Sequence, residues 1–406
     1  MPGDKAPDEL QNLRIEPAEE VRIRVEGAIS NIPAAEWDAC ANPEGAIYNP
    51  FISHAFLRCL EESGCVSDDT GWSPRHLVLD GESGPRAVMP LYLKSNSMGE
   101  FVFDHAFADA YHQAGGAYYP KLQCAAPFTP ASGRRILVRD VSDIALAERI
   151  LTQGALQLMK AEGASSLHIT FPTHEEWGRL GDAGLQRRTG MQFHWRNDGY
   201  ATFDDFLGAF SSRKRKAVKK ERRDALASGL TVEWLTGAQL TEAHWDGFFR
   251  FYLDTGDRKW GRPYLNRRFF SLIGAAMPDR ILLMMVKEGG RYIAGALNFI
   301  SGDALYGRYW GCVEERPYLH FEVCYYQAID FAIAHGLARV EAGAQGEHKL
   351  ARGYLPEITY SLHAFAHPGL GKAVADYLKR EMHAVEAQRA ELMEASPFKK
   401  TGDGDV

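Results

Sequence analysis

ILLMMVKEGGRYIAGALNFISGDALYGRYWGC, residues 281 to 312, reads as consecutive strands, and what surrounds it decides the fold. Working outward, a strand (LTVEWLTG) and a helix from Glu242 to Thr255 precede it, and a helix from His320 to Gly336 and a strand (ARVEAGA) follow. The first half has the same grammar. VRIRVEG alternates like a strand, PAAEWDACA and SHAFLRCLEESG read as helices, and PRHLVLDGESGPRAVMPLYLKS reads as a hairpin turning at GESG. A helix from Asp143 to Gly163 then leads into the strand SSLHITFP, the helix EEWGRLGDAG and the strand TGMQFHWRN. The halves share an order of elements without obvious identity, so duplication is suggested at the level of topology alone. The pattern predicts an α/β protein with mixed sheets in two units, 21–190 and 231–368. Residues 191–230 connect them. A long helix at 369–395 closes the chain, with Val374, Leu378, Val385 and Leu392 on one face. Residues 1–20 and 396–406 read as disordered tails.

Residues 99 to 135 are dense in aromatics, glycine and proline (GEFVFDHAFADAY, GGAYYPKL, APFTPASG), a composition that favours shaped loops over regular helix. Asp104, Tyr119 and Lys121 are candidates for lining a groove there, with a structural role equally open for each. Six cysteines, at 40, 59, 65, 124, 312 and 324, form no CxxC pair and no metal-ligand spacing, so no metal is expected and the thiols read as reduced, in a cytoplasmic protein. No run approaches the roughly eighteen apolar residues that would span a bilayer, which leaves peripheral attachment to an inner membrane open.

The chain is acidic overall, with net charge -7, yet SRKRKAVKKERR at 212–223 carries eight Lys and Arg in twelve positions. Like charges gathered on one helix call for an anionic partner or generous solvation. Ser211 and Ser212 offer N-caps, Ala217, Val218 and Leu226 a short apolar stripe, and Gly229 a C-cap. Arg213, Lys214, Arg215 and Lys216 are therefore candidates for holding phosphate or a lipid headgroup, against a solubilising surface. The acidic whole argues against a general nucleic-acid binder.

The densest reactive cluster is EAGAQGEHKLARGYLP, residues 341 to 356. His348 is the one side chain there of a type whose unperturbed pKa lies near neutrality, which suits proton transfer, and Lys349 with Arg352 suits a phosphate or carboxylate; an ordinary solvated loop is the alternative. Upstream, His320 and Glu322 fall near a helix start, where Glu322 is either a base acting on an amine or a carboxylate placed for the helix dipole. No GxSxG, Walker loop, HRD or DFG is present.

Taken together, GEFVFDHAFADAY, YYPKL, PFTP, SRKRKAVKKERR, HFEVCYYQAI and GAQGEHKLARGYLPEITYSLH resemble the FemAB-like branch of the GNAT N-acyltransferase superfamily, over residues 30 to 395. The resemblance implies two tandem GNAT-like domains and acyl transfer from an activated donor to an amine, with no bound cofactor. It places a splayed strand near LYGRYWGC and the following helix near His320. One departure stands out: the glycine-rich pyrophosphate loop of the superfamily is absent, and EERPYLHFE occupies its place. An acyl-CoA donor would then need the basic helix or Arg352 for its pyrophosphate. Within the branch the chain reads closest to bacterial ceramide synthases, which implies a fatty acyl-CoA donor and a long-chain, sphingoid-type amine at an anionic membrane surface. The alternatives are a Fem-type transferase acting on a peptidoglycan precursor, with aminoacyl-tRNA as the one nucleic-acid partner, and a non-catalytic phosphate-binding module. The oligomeric state is left open.

Overall fold

The computed structural model describes residues 22–227, 229–259, 263–343 and 346–399. The tails expected at 1–20 and beyond 399 lie outside the described residues, as does Gln345.

The large sheet runs in the order Thr231–Leu235, Ile281–Glu288, Arg291–Ile300, Ala304–Cys312, Arg339–Glu341, Gln186–Arg196, Leu355–Phe365, Ser166–Thr170, Lys121–Cys124, Leu91–Lys94 and Trp72–Pro74. A small second sheet joins Ile23–Glu26, His76–Gly81, Gly84–Met89 and Leu137–Val138. The two halves interlock at the centre of the large sheet. Leu355–Phe365, counted with the second half in the sequence, pairs antiparallel with Gln186–Arg196 on one side and Ser166–Thr170 on the other. Gln186–Arg196 in turn pairs with Arg339–Glu341.

Each half contains the same supersecondary unit. Lys121–Cys124 and Ser166–Thr170 run parallel and are joined through the helix Ile144–Ala161; Ala304–Cys312 and Arg339–Glu341 run parallel and are joined through the helical segment 319–334. With their antiparallel neighbours these units make two tandem GNAT-like domains, closed by the helix Pro368–Glu394.

The apolar run ILLMMV is a strand covered on both faces. Ile281, Leu283 and Met285 enter one core with Trp245, Phe248 and Phe270, while Leu282, Met284 and Val286 enter another with Trp195, Val323 and Ile329. In the first half, Ala147, Leu151, Ala155 and Met159 recur every fourth residue along their helix and seal the sheet from one side.

Three expectations need correction. GEFVFDHAFADAY is not all loop: His105–Gln113 is a helix, because Phe107 finds a core with Tyr118, Leu370, Val374 and Leu378. The basic helix Ser212–Ala225 ends at Leu226, ahead of Gly229, and its Ser211 cap makes no side-chain hydrogen bond. Residues 396–399 are not a free tail, since Phe398 bridges Phe210 and packs its ring 4.9 Å from that of Phe210.

The helix Glu242–Lys259 crosses Ala304–Cys312 at Gly311, where a Cβ would stand 2.2 Å from the backbone of Phe251. Only hydrogen fits there. Gly311→Ala is expected to cost about 3 kcal/mol or more by overpacking, read as a fall in the urea midpoint with an unchanged slope.

Candidate active site

The parallel pairing of Ala304–Cys312 with Arg339–Glu341 holds only at Ala304, Leu305 and Tyr306. Beyond Tyr306 a cavity of about 130 Å³ opens, floored by Ala296, Leu297 and Asn298, where the neighbouring strand shifts register. Gly307 lines the opening, where an added Cβ would come into ordinary contact with Asn298 Oδ1 at 3.4 Å and the Ala342 Cα at 3.6 Å. A backbone with freed ladder groups beside a small cavity suits the carbonyl of an activated acyl group.

The opposite wall is helical. The segment starts at Leu319 from a left-handed Tyr318 (φ +62°) and loosens into a π-helical turn at Glu322–Tyr326. Such turns displace side chains from ordinary helical positions and recur at functional sites. Here the turn brings Cys324 and Tyr325 to the cavity beside His320. The Tyr325 hydroxyl lies 2.8 Å from His348 Nε2, and the His320 ring is centred 5.3 Å from Tyr325 and 6.3 Å from His348. Burial pushes the Tyr325 phenol well above its ordinary pKa, so it holds a proton that it can lend. Two imidazoles and a phenol thus meet at the mouth of a cavity shaped for a carbonyl.

Two cations, the buried Lys349 and the half-buried Arg308, stand behind them. Lys349, 2% exposed, donates to the Gly343 carbonyl at 2.9 Å. Burial, with the nearby Arg308 charge adding to it, lowers its pKa to about 8. Arg308 lines the cavity and donates to the carbonyl of Phe128. Among the described residues no carboxylate forms a salt bridge with either cation. Buried charge without a counter-ion is costly and favours a ligand on which negative charge develops.

His320 and His348, which fall in separate stretches of the sequence, are brought near each other, and other candidates move. Glu322 is fully buried and engaged: Arg222 donates to both of its oxygens at 3.1 and 2.9 Å, and Gln327 donates at 2.8 Å. It is held as structure, and it does not line the cavity. Arg352 is also committed, donating to the His348 carbonyl and to Glu221 while its guanidinium lies 3.4 Å over the Phe321 ring. It buttresses the His348 turn and is not open to a phosphate. Lys121 and Asp104 do not line a groove; they are buried together as an ion pair with Glu100 in the first half, and the Tyr119 hydroxyl meets Ser97 at 2.7 Å.

The basic helix divides in two. Its C-terminal charges are paired, Lys219 with Asp204, Lys220 and Arg223 with Asp224, and Arg222 with Glu322 and Asp330. Arg213, Lys214, Arg215 and Lys216 have no ion-pair partner among the described residues, and all but the half-buried Arg215 are exposed. Sequence reasoning missed Tyr325, Arg308 and Cys324. A tyrosine one residue past Cys324 reads as core, and only the π-helical turn re-aims it.

The FemAB-like family model, described as peptidoglycan biosynthesis and recognition, matches residues 28–400. A search of curated proteins found no match. Among solved structures, FemX is 16% identical with a TM-score of 0.54, covering 85% of this chain and 98% of its own. L-PGS from Bacillus licheniformis is 10% identical with a TM-score of 0.50, covering 84% and 98%. The C-terminal domain of a candidate lysylphosphatidylglycerol synthetase from Agrobacterium fabrum is 11% identical with a TM-score of 0.51, covering 85% and 96%. At these identities the likeness is one of fold.

Glu322→Gln would leave Arg222 half-buried with Asp330 as its remaining carboxylate. The expected loss is about 3 kcal/mol, the low end of the range for breaking a buried pair from one side, measured by urea denaturation. An unchanged midpoint would show that the pair is not holding the helix.

Proposed function

Since the chain belongs to the FemAB-like family, we propose that it is a transferase moving an aminoacyl or acyl group from an activated ester to an amine of a peptidoglycan precursor or a lipid. The observation that carries this reading is the Tyr325–His348 hydrogen bond, set beside His320 at a cavity backed by Arg308 and Lys349.

In the proposed reaction the donor carbonyl lies in the strand opening. The acceptor nitrogen attacks the carbonyl carbon as His320 takes the amine proton, so a C–N bond forms and the carbonyl oxygen becomes an oxyanion near the Arg308 and Lys349 charges. Collapse breaks the bond to the leaving oxygen or sulfur, which takes its proton from Tyr325. The tyrosinate regains a proton from solvent through His348, 2.8 Å away, and His320 releases the amine proton to solvent, so all three groups end as they began. Arg352 holds the His348 turn against Glu221, and Glu322 with Arg222 holds the helix that carries His320 and Tyr325.

Two features favour an aminoacyl ester over acyl-CoA. Arg316, the only cation in the loop before the helix, is tied to Glu288 and Glu314, and the glycine-rich loop is absent. The fold is also that of FemX and of the lysylphosphatidylglycerol synthetase domain. Transfer of a fatty acyl group to a sphingoid-type amine rests on sequence resemblance alone and is the second reading. No helix among the described residues is long and apolar enough to cross a membrane, and the Arg213–Lys216 cluster, without an ion-pair partner among the described residues, is suited to a precursor diphosphate or a lipid phosphate.

The reading is tested by supplying purified protein with aminoacyl-tRNA or acyl-CoA, crossed with a peptidoglycan precursor or a long-chain amine, and identifying products by mass spectrometry. Product with acyl-CoA and long-chain amine alone would select the second reading, and no thiol or tRNA release with any pair would sink both. Tyr325→Phe and His320→Ala should each lower kcat by roughly a hundredfold in folded protein. The pH profile should carry a descending limb near 8: the folded-state pKa of Lys349 is depressed to about 8, so its cation is lost as pH rises through that value. Lys349→Met should lower kcat and remove that limb. Reversing Arg213, Lys214, Arg215 and Lys216 to Glu should raise the acceptor KM most at low salt, and a KM that is unchanged at every salt concentration would mark the cluster as a solubilising face.

A further inference from the structure

A larger cavity, of about 290 Å³, lies on the interlocked strands Gln186–Arg196 and Leu355–Phe365, and none of the residues lining the smaller cavity lines it. Phe101, Phe103 and Phe171 form its aromatic side. Phe101 and Phe171 are both held at left-handed φ, +61° and +56°, a conformation that disfavours bulky residues and gathers at functional sites. Phe103 is 55% exposed on the rim. The polar side is uncharged: Thr359 and Ser361 face it, and Arg188 and Glu381 neutralise each other in a two-bond pair.

Ser361 is the end of a buried chain. Its hydroxyl lies 3.0 Å from His363 Nε2, and His363 Nδ1 lies 2.6 Å from His168 Nδ1. His168 Nε2 meets Ser166 Oγ at 2.8 Å and the Tyr118 hydroxyl at 3.2 Å, and Tyr118 donates to Asp104 at 2.7 Å. Both imidazoles are buried, and burial drives the His168 pKa down to about 3 and that of His363 well below its ordinary value, so the pair is neutral. Two neutral imidazoles in Nδ1-to-Nδ1 contact hold one proton between them. With that proton on His168, His363 Nε2–H donates to Ser361, whose own hydrogen is then free for the cavity, and His168 Nε2 accepts from Ser166. With it on His363, Ser361 donates to His363 and turns a lone pair to the cavity, while His168 Nε2–H donates to Tyr118. Both arrangements satisfy every nitrogen.

We propose that this cavity seats the uncharged, hydroxyl- or amide-bearing part of the acceptor against its phenylalanines, and that the His168–His363 pair lets Ser361 serve that group as donor or as acceptor. This rests on the transferase reading for the word acceptor. The placement supports it, because the Arg308 guanidinium of the smaller cavity lies 5.8 Å from the Phe101 ring of this one. Two sources carry the chemistry, the saccharide and peptide of a cell-wall precursor or the amino-diol head of a long-chain base.

The test is direct binding without any donor, by calorimetry on the full chain, with a soluble N-acetylmuramoyl pentapeptide and a short-chain 2-amino-1,3-diol as probes. One probe should bind, and its identity names the source. Ser361→Ala and Phe103→Ala should each weaken that probe about five- to tenfold, the scale of one lost neutral hydrogen bond or a rim contact. Phe103 is exposed, so its variant keeps the test open should Ser361→Ala fail to fold. The probe should also move the ¹⁵N resonances of His168 and His363, a response that a purely structural pair would not give. Binding by neither probe, or affinity unchanged in the folded variants, overturns the proposal. Because no donor is present, that result stands apart from a failure of acyl transfer.

Discussion

The pairing of Leu355–Phe365 with Gln186–Arg196 is the constraint on which both cavities depend. It runs from Leu355 opposite His194 to His363 opposite Gln186, and inserts a late strand between two earlier ones. Such a contact carries a high loop-closure cost and repays it only when the sheet is complete. The larger cavity rests on this pair. The smaller one opens beside Arg339–Glu341, whose Glu341 lies opposite His194 of the same strand. The two cavities are thus positioned by one set of ladder hydrogen bonds, and their separation is fixed more firmly than a linker between independent domains would allow.

Charge is handled in two ways around this frame. Several buried structural charges are matched: Lys121 with Glu100 and Asp104, Glu322 with the half-buried Arg222, and Arg352 with the half-buried Glu221. Burial works against the Arg222 cation, yet its bonds to Glu322 and Asp330 outweigh that and leave its pKa raised. At the smaller cavity the rule is broken, and Lys349 with Arg308 is left unmatched by any carboxylate salt bridge among the described residues. The folded chain carries that cost beside the cavity, and an oxyanion is the species that would relieve it.

Much of the fold was legible because periodicity reports burial. ILLMMV could be read as a strand covered on both sides, and the alternation of strands and helices gave two similar units. The interlock was not legible, since nothing within ITYSLHAF says which strand it will join. The candidate site was half legible for a related reason. His320 and His348 announce themselves by chemistry, whereas Glu322 looks like a base until Arg222, one hundred residues earlier, is seen to hold it. Tyr325 was hidden because its role depends on a local departure from helical periodicity, which a reading based on 3.6-residue spacing treats as core. His168 and His363, 195 residues apart, could be joined only by the strand register that sets them opposite each other.

The basic helix shows why composition alone left its meaning open. Its eight cations are two populations with opposite relations to the fold. The C-terminal turns are bound inward through Arg222 and through Glu221, which accepts from Arg352 and Tyr326 and so links the helix to the turn carrying His348. The N-terminal turn concentrates positive charge at the end of the helix whose own dipole is positive, an arrangement that costs stability unless an anion offsets it. One segment therefore both clamps the candidate active site and presents unmatched charge at its other end. Any anion that settles on Arg213–Lys216 is bound to the same rigid element that fixes Glu322 and Arg352, and through them the placement of Tyr325 and His348.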